Sequence, residues 1–406
     1  MRLGRNYYLL LAAEAAVNLA DVLFTLTLIV LVNEATDSAF MTGMVPIVRV
    51  AAMFASGMIA PLVLRRYPLR SVLVGSVAGE ILFMLLIASM VGSYAFESGI
   101  VPLLALLFGF AFFKGWAGPA KDAVLPRLVP ESLLVKANGL MSTTDQTVMM
   151  AGWALGGIVI AWTGRSGSFW AAVAIMAAAL AAVWFIRFAD AEPSSGKDAR
   201  DKSNWSTMKS GWSAIWNRPI LRVVTTMDVT ESIANGVWVA AVLLIYVEDV
   251  LGQGSDWFGF MNAAYFAGTI SGGLLVMLFS RRIEGRLIPA MIAGSLAIAA
   301  MTVMFALTSS SPVALLLCLL MGPAFQMRDI AQRTIFQTRV KAEELASVYA
   351  AQGTLLSITF GVSVMIMGLV TDLFGVRATY LTAGGLFLLS GMLALRLRRT
   401  LPAEQA

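Results

Sequence analysis

The sequence predicts an all-α membrane protein with twelve transmembrane helices in two pseudo-symmetric halves of six. Three observations predict this fold. Of the 406 residues, 59% are hydrophobic and 13% are charged, so a water-soluble globule of this length would expose too much apolar surface. Apolar runs of roughly 20 residues, the length that crosses a bilayer, recur along the whole chain. A polar stretch divides the chain near its middle, and similar motifs lie on both sides of it.

The apolar runs end at charged residues, glycine or proline and define twelve predicted spans, numbered in chain order. Spans 1 to 6 cover residues 7–33, 38–64, 71–92, 99–118, 137–163 and 166–188. Spans 7 to 12 cover residues 219–247, 256–280, 286–309, 312–335, 345–371 and 376–396. The first run is long enough to cross the bilayer and is followed by others, so we expect a span there and not a cleaved leader.

The basic residues predict the orientation. All but four of the 29 lysines and arginines precede span 1, lie around or after the end of every second span, or lie in or beside the central polar stretch. Positive charge concentrates in cytoplasmic loops, so both termini are expected in the cytoplasm and the chain in the plasma membrane. The four exceptions are Arg49 and Lys114 within spans, and Arg165 and Arg377 in loops of the opposite side.

The central polar stretch is predicted to be a cytoplasmic linker, residues 189–218, between halves 1–188 and 219–406. Its tryptophan-rich end forms either a short amphipathic helix at the membrane surface or plain linker. The halves share a motif at constant offset: Gly57, Arg65, Arg66 and Arg70 correspond to Gly273, Arg281, Arg282 and Arg286. Repeats of this kind place a substrate path between the halves, near the membrane midplane.

Acidic residues inside the first half are candidate proton sites. A charge at the bilayer centre costs roughly 2.5–3.5 kcal/mol on insertion scales, so each one needs a partner, water or a proton. Glu14, Asn18 and Asp21 lie on one face of span 1, and depth counting puts Asp21 level with Arg49 of span 2. The chain has no histidine, so a group that exchanges protons near neutral pH is expected to be a carboxylate or, alternatively, a lysine. Asp21, Glu14 and Asp145 are the predicted proton-coupling residues, with a permanent structural ion pair as the alternative.

Span 7 repeats the acidic stripe of span 1, with an acid, an acid, an amide and a tryptophan at helical spacing. Carboxylates attract cations and aromatic faces stack on apolar groups, so the pattern favours a cationic or amphiphilic substrate. The predicted substrate-cavity residues are Asn18, Arg49, Asp228, Glu231, Asn235 and Trp238.

Charged residues at the cytoplasmic ends of the spans are predicted to close that side. The predicted gate consists of Arg65, Arg66, Arg281, Arg282, Lys114, Arg328, Asp329 and Arg333. Its loop arginines are expected to pair with Glu131, Glu343 or Glu344. Arg328, Asp329 and Arg333 are expected to form a local ion-pair network, and Lys114 is alternatively an interfacial residue that snorkels to the headgroups.

The arrangement of six spans, linker and six spans resembles the major facilitator superfamily over the whole chain. The stretch PAKDAVLPRLVPESLLVKANGL, from Pro119 to Leu140, is similar to the loop between helices 4 and 5 of drug-proton antiporters that include macrolide and enterobactin exporters. In that group an acid occupies the position of Asp21. The resemblance implies transport by alternating access. The chain departs from the superfamily in the loop after span 2. The position of the usual aspartate is occupied by Pro61, and the matching position of the second half is occupied by Met277.

A second resemblance leaves the substrate open, because PAK and LVKANGLM are also similar to bacterial lysophospholipid flippases of the same superfamily. The leading expectation is proton-coupled efflux of drugs or amphipathic cations; the alternatives are a flippase or other facilitator and, more remotely, a non-transporting sensor. No P-loop, metal-ligand cluster or nucleophile triad occurs in the sequence, so we expect neither an enzyme nor a cofactor. Expected partners are a small-molecule substrate, protons and membrane lipid, with no nucleic acid, for a monomer.

Overall fold

A computed structural model of the protein describes residues 3–91, 100–186, 204–238, 240–254 and 256–400, and within these ranges the chain is almost entirely helical. The helices of the first part are α1 (Arg5–Thr36), α2 (Ala39–Arg66), α3 (Leu69–Val91), α4 (Val101–Leu128), α5 (Leu134–Trp184) and α6 (Asn204–Asn217). Those of the second part are α7 (Pro219–Ala234), α8 (Ala240–Ile245), α9 (Asp256–Leu278), α10 (Ser280–Glu284), α11 (Leu287–Leu307), α12 (Ser311–Arg339), α13 (Ala342–Phe374) and α14 (Val376–Thr400).

Helix α5 contains two predicted spans. Its 51 residues would extend about 77 Å as one straight helix, more than twice the ~30 Å hydrocarbon core of a bilayer. The backbone leaves the helical conformation at Gly164, with φ 70° and ψ 175°, which a side chain would strongly disfavour. The predicted break between spans 5 and 6 is therefore confirmed, and it consists of a turn around one glycine.

Span 7 is broken in the middle. Helix α7 gives way to a 3₁₀ turn over Asn235–Trp238, then α8 and a π-helical turn over Tyr246–Val250, and the axes of the two described pieces differ by 53°. Irregular backbone at membrane depth is tolerated where it is buried in protein or lines a cavity. With this pair taken as one span and α5 as two, the described residues contain the twelve predicted spans.

One helix end differs from the prediction in a way that matters for the site. Span 4 was expected to end at residue 118, but α4 continues through Pro119 and Pro126 to Leu128. Lys121 therefore lies on a helix and not in a loop.

Residues 189–203 of the predicted linker lie outside the described ranges. The described part of the linker begins with α6, in agreement with the helical alternative.

Contacts divide the chain into two compact units. Unit 1 comprises Met1–Pro130, Thr147–Trp212 and Lys341–Thr354, and its core includes Phe24 packed against Phe110, with tilted rings whose centroids are 4.7 Å apart. Unit 2 comprises Glu131–Gln146, Ser213–Val340 and Leu355–Ala406. Its core includes Tyr246, whose ring lies 4.4 Å from that of Phe305. The first part of α5 thus packs within unit 2, and the first part of α13 within unit 1.

Contacts between loops agree with alternate crossing of the membrane. Arg165, beside the Gly164 turn, lies 2.6 Å from Glu34 at the end of α1. Arg70, in the first turn of α3, donates to the Trp184 carbonyl at the end of α5 at 2.8 Å. Each contact joins loops that were predicted on the same side of the membrane. The cytoplasmic location of one of these sides remains a prediction.

Candidate substrate and proton sites

Helices α1 and α4 carry two matching ion pairs inside unit 1. The Lys121 Nζ lies 2.5 Å from Glu14 Oε1, and the Lys114 Nζ lies 2.6 Å from Asp21 Oδ2. The two acids are seven residues apart on α1, as are the two lysines on α4, so both pairs share one antiparallel register and lie about 10 Å apart along the helices. Lys121 was missed by the sequence analysis because it was assigned to a loop; its spacing from Lys114 was the available signal.

Asp21 also binds Arg49, which confirms the prediction that these residues lie at the same depth. The Arg49 Nη2 lies 2.8 Å from Oδ1 and 3.0 Å from Oδ2 of Asp21, and Nη1 contacts Thr25. Lys114 was expected in the cytoplasmic gate or, alternatively, at the headgroups, and a role in the gate remains a prediction. Its ammonium is held at Asp21, because a buried carboxylate attracts the nearest flexible cation.

Glu80, on α3, is the most deeply buried acid among the described residues of unit 1. Its side chain is 0% exposed, and neither carboxyl oxygen has a hydrogen-bond partner among the described residues. The hydroxyl of Ser76, one turn earlier on α3, is likewise buried without a partner there. The charged groups that act electrostatically on Glu80 are Lys114, Arg49, Asp21 and Glu14.

In unit 2, an arginine holds the two acids of span 7. The Arg328 Nη2 lies 3.1 Å from Asp228 Oδ1 and also contacts Glu231. Ser295 of α11 donates to Glu231 Oε1 at 3.1 Å, and Ser390 of α14 donates to the same atom. All three charged side chains are at least nine-tenths buried. Neither serine was identified from the sequence, since isolated serines in apolar helices carry no pattern.

The predicted local network on α12 is only partly present. Asp329 and Arg333 form an ion pair at 3.1 Å, with both side chains about 40% exposed. Arg328 contacts the acids of span 7, outside the expected local network, and its role in the gate remains a prediction. It lies on the buried face of the helix, since neighbouring residues on a helix point in different directions.

A cavity of about 430 Å³ lies in unit 2 at the break of span 7. Amide and aromatic side chains dominate its wall, and Arg328 and Asp329 are the charged residues that line it. Of the predicted cavity residues, Asn235 and Trp238 line it; Asp228 and Glu231 do not, because Arg328 covers them. The lining residues are Gln146, Asn235, Trp238, Leu243, Met261, Asn262, Tyr265, Phe266, Cys318, Phe325, Gln326, Arg328 and Asp329.

Trp238 presents a free donor in this wall. Its ring packs against Phe305 and Tyr380, with centroids 5.3 Å from each. The indole Nε1 is buried and has no hydrogen-bond partner among the described residues. A buried indole N–H normally finds an acceptor, so the rigidly held ring offers a ligand both an aromatic surface and a hydrogen bond.

The remaining predicted residues lie at separate places. Asn18 is partly exposed on α1 in unit 1. Asp145 belongs to unit 2, next to Gln146 of the cavity wall. Among the gate arginines, Arg66 and Arg282 are exposed and stack over Tyr67 and Phe279, at 5.9 and 5.6 Å. Arg65 is partly buried and Arg281 is exposed. Pairing of the loop arginines with acidic residues remains a prediction.

Twelve apolar spans, buried ion clusters and a cavity beside a broken span define a multi-pass membrane transporter and not an enzyme. The sequence profile of the Major Facilitator Superfamily matches residues 10–363 and 232–406, and the chain belongs to that family. The MFS-type transporter YjbB of Bacillus subtilis is 31% identical over 393 residues, which cover 97% of this chain and 95% of that protein.

More distant relatives have named activities. The multidrug efflux pump Tap of Mycobacterium tuberculosis is 23% identical and aligns with 75% of this chain and 72% of its own. The lysophospholipid transporter LplT of Klebsiella pneumoniae is 27% identical over 256 residues, 57% of this chain and 64% of its own. Among solved structures, the fucose:proton symporter FucP of Escherichia coli has a TM-score of 0.78 at 15% identity, with 97% and 98% of the chains covered. This likeness shows the shared fold.

Proposed function

We propose that the chain is a proton-coupled exporter of drugs or other amphipathic, cationic small molecules that works by alternating access. The observation that carries the proposal is the cavity of unit 2, where aromatic rings, amides and an unpaired indole donor surround about 430 Å³. That volume lies within the ~300–1,000 Å³ usual for small-molecule sites. The transporter is proposed to act as a monomer in the plasma membrane, with both termini in the cytoplasm.

The wall of the cavity suits a flat, apolar substrate with few polar groups. Tyr265, Phe266 and Phe325 offer ring faces, and Asn262 and Gln326 offer both donors and acceptors. Asp329, which is partly exposed and paired with Arg333, is the carboxylate of the wall, whereas Asp228 and Glu231 are buried against Arg328. Selectivity for a cation therefore depends on Asp329 and on aromatic faces, and not on an open acidic surface.

Proton coupling is assigned to Asp21 and Glu14, with Asp145 as the acid next to the cavity wall. Asp21 is held as a carboxylate while Arg49 and Lys114 both contact it, since opposite charges within ~4–6 Å favour the ionised form. Protonation of Asp21 requires that at least one cation withdraws. A conformational change that moves Lys114 away from α1 would thus couple proton binding to the state of the transporter.

Efflux is further supported by the relationship to Tap, and it is tested with purified protein in proteoliposomes. An imposed pH gradient should drive uptake of ethidium into inside-out vesicles together with outward proton movement. Asp21→Asn and Glu14→Gln should lose the dependence on the gradient, whereas Glu34→Gln, which alters the exposed pair with Arg165, should not. Unchanged transport and proton exchange in Asp21→Asn would contradict the assigned coupling.

Lysophospholipid transport is a second candidate, favoured by the similarity to LplT over 57% of the chain. The same vesicles with a fluorescent lysophospholipid distinguish the two functions. A flippase should move that lipid at equal rates with and without a proton gradient and should leave ethidium in place.

A further inference from the structure

The ion cluster around Asp21 has one positive charge too many. Asp21 faces two cations, Arg49 and Lys114, while Glu14 and Lys121 balance each other. Glu80 is the acid that would restore neutrality, and it is fully buried without a hydrogen-bond partner among the described residues. An isolated carboxylate in such surroundings would cost several kcal/mol even after relaxation, so burial disfavours a charged Glu80 in this arrangement.

Glu80 lies at nearly the same height in the membrane as Lys114. Helices α3 and α4 pack closely, and their glycines fix the register: the α-carbon of Gly79 faces the ring of Phe113, and that of Gly109 faces the ring of Phe83. In this antiparallel register Glu80 is level with the position two residues before Lys114. The backbone positions of Glu80 and Lys114 are therefore offset by about 3 Å along the helix axis. A lysine side chain, with its flexible four-carbon stem, spans such an offset by changing rotamers.

The space around this level contains further unused acceptors. Ser76 lies one turn from Glu80, and Ser56 of α2 lies against Gly115, the neighbour of Lys114. Both serine side chains are 0% exposed, and both hydroxyls lack partners among the described residues. An ammonium has three donors to satisfy, and hydroxyl oxygens accept from it as well as a carboxylate does.

We infer that Glu80, with Ser76 and Ser56, forms a second binding position for the Lys114 ammonium, and that Glu80 binds a proton whenever Lys114 is at Asp21. When Lys114 moves to Glu80, the carboxyl releases its proton and two neutral pairs result, Lys114–Glu80 and Arg49–Asp21. When Lys114 returns, Glu80 takes up one proton. The charged groups that take part are those of α1, α2, α3 and α4 named above. This inference rests on the proposed proton coupling and assigns to it one exchangeable proton.

The test is infrared difference spectroscopy of the full-length protein in lipid, which needs no substrate. The wild type should show the C=O stretch of a protonated buried carboxyl at neutral pH, and Glu80→Gln should lose it. In Asp21→Asn the band should also disappear, because Lys114 is freed and ionises Glu80. Glu34→Gln serves as the matched control and should leave the band unchanged. If Glu80 were an isolated structural glutamic acid, its band would persist in Asp21→Asn. Either that result or a band that Glu80→Gln leaves unchanged would overturn the inference.

Two further measurements test the role of Glu80 separately from the folding of its variants and from the proposed transport function. Reaction of the wild type with dicyclohexylcarbodiimide, which attacks protonated carboxyls, should place the label on Glu80 by mass spectrometry; a protein unlabelled at Glu80 counts against the inference. In vesicles, Glu80→Gln should still exchange ethidium down its gradient but should no longer respond to pH. If the wild type moves no ethidium, the proposed function fails while the infrared result still decides the role of Glu80.

Discussion

Two arginines of α12 provide a matched comparison between buried and exposed ion pairs. Arg328 and Arg333 each contact a carboxylate, but the Arg328 side chain is 8% exposed and that of Arg333 is 43% exposed. Replacing each with methionine removes one positive charge from the same helix and keeps a flexible apolar stem. We expect the Arg328 variant to be strongly destabilised and the Arg333 variant to be nearly unaffected.

The magnitude follows from the contacts. At 3.1 Å and an effective dielectric of ~20, the Arg328–Asp228 attraction alone is roughly 5 kcal/mol, much of it offset by desolvation of the pair. Removing one partner leaves the carboxylates of Asp228 and Glu231 buried without this cation, which typically costs about 3–5 kcal/mol. The exposed pair with Asp329, four residues from Arg333, is worth about 0.3–0.5 kcal/mol.

The assay is thermal unfolding of the purified protein in detergent, with all variants heated at one scan rate because membrane proteins often unfold irreversibly. For a unit of this size, 1 kcal/mol corresponds to about 2–4 °C, so Arg328→Met should lower the midpoint by about 6 °C or more. Arg333→Met should stay within about 2 °C of the wild type. Equal midpoints for the two variants would refute the reasoning, since burial would then make no difference.

Glu80→Met should stabilise the protein by about 1–3 kcal/mol and so raise its unfolding midpoint, because it removes two buried oxygens that have no hydrogen-bond partner among the described residues. A lower midpoint would show that the carboxyl has a stabilising role. Burial and the charge of Glu131 raise the pKa of Glu284, which lies between α9 and α11. Folding therefore favours the protonated form of Glu284, and the stability gained from its protonation is lost as the pH rises through this raised pKa. Glu284→Gln should therefore stabilise the protein at neutral pH and not in acid, as melting across a pH series will show. Gly268→Ala should destabilise the protein by about 1–3 kcal/mol, since its new methyl group would meet the backbone of α12, whereas Gly368→Ala, with open space around it, should not.

The sequence was most informative about positions along the membrane normal. Bilayer thickness dictates span length, so hydropathy located the spans, and the 1.5 Å rise of a helix was enough to bring Asp21 and Arg49 to the same depth. The end of α4 was mistaken because its polar residues resemble a loop. Lys121 lies on this helix and its ammonium binds Glu14 inside the protein.

Contacts between distant helices could not be predicted in the same way. Arg328 and Asp329 are adjacent in the chain and were assigned to one network, yet one binds span 7 and the other binds Arg333. Which face of α12 is buried depends on its neighbours, and hydropathy averages over faces. For the same reason the acids of span 7 were expected in the cavity wall although an arginine covers them.

The single cysteine has a practical consequence. Cys318 lies in the cavity wall and is only 2% exposed, so the natural chain is already a low background for thiol-reactive probes. A cysteine introduced at exposed Ser166 should react with an impermeant maleimide added to intact cells, and one at exposed Arg281 should react only after lysis. Membrane orientation can thus be measured on otherwise unmodified protein, and slow labelling of Cys318 itself would report on whether the cavity is filled.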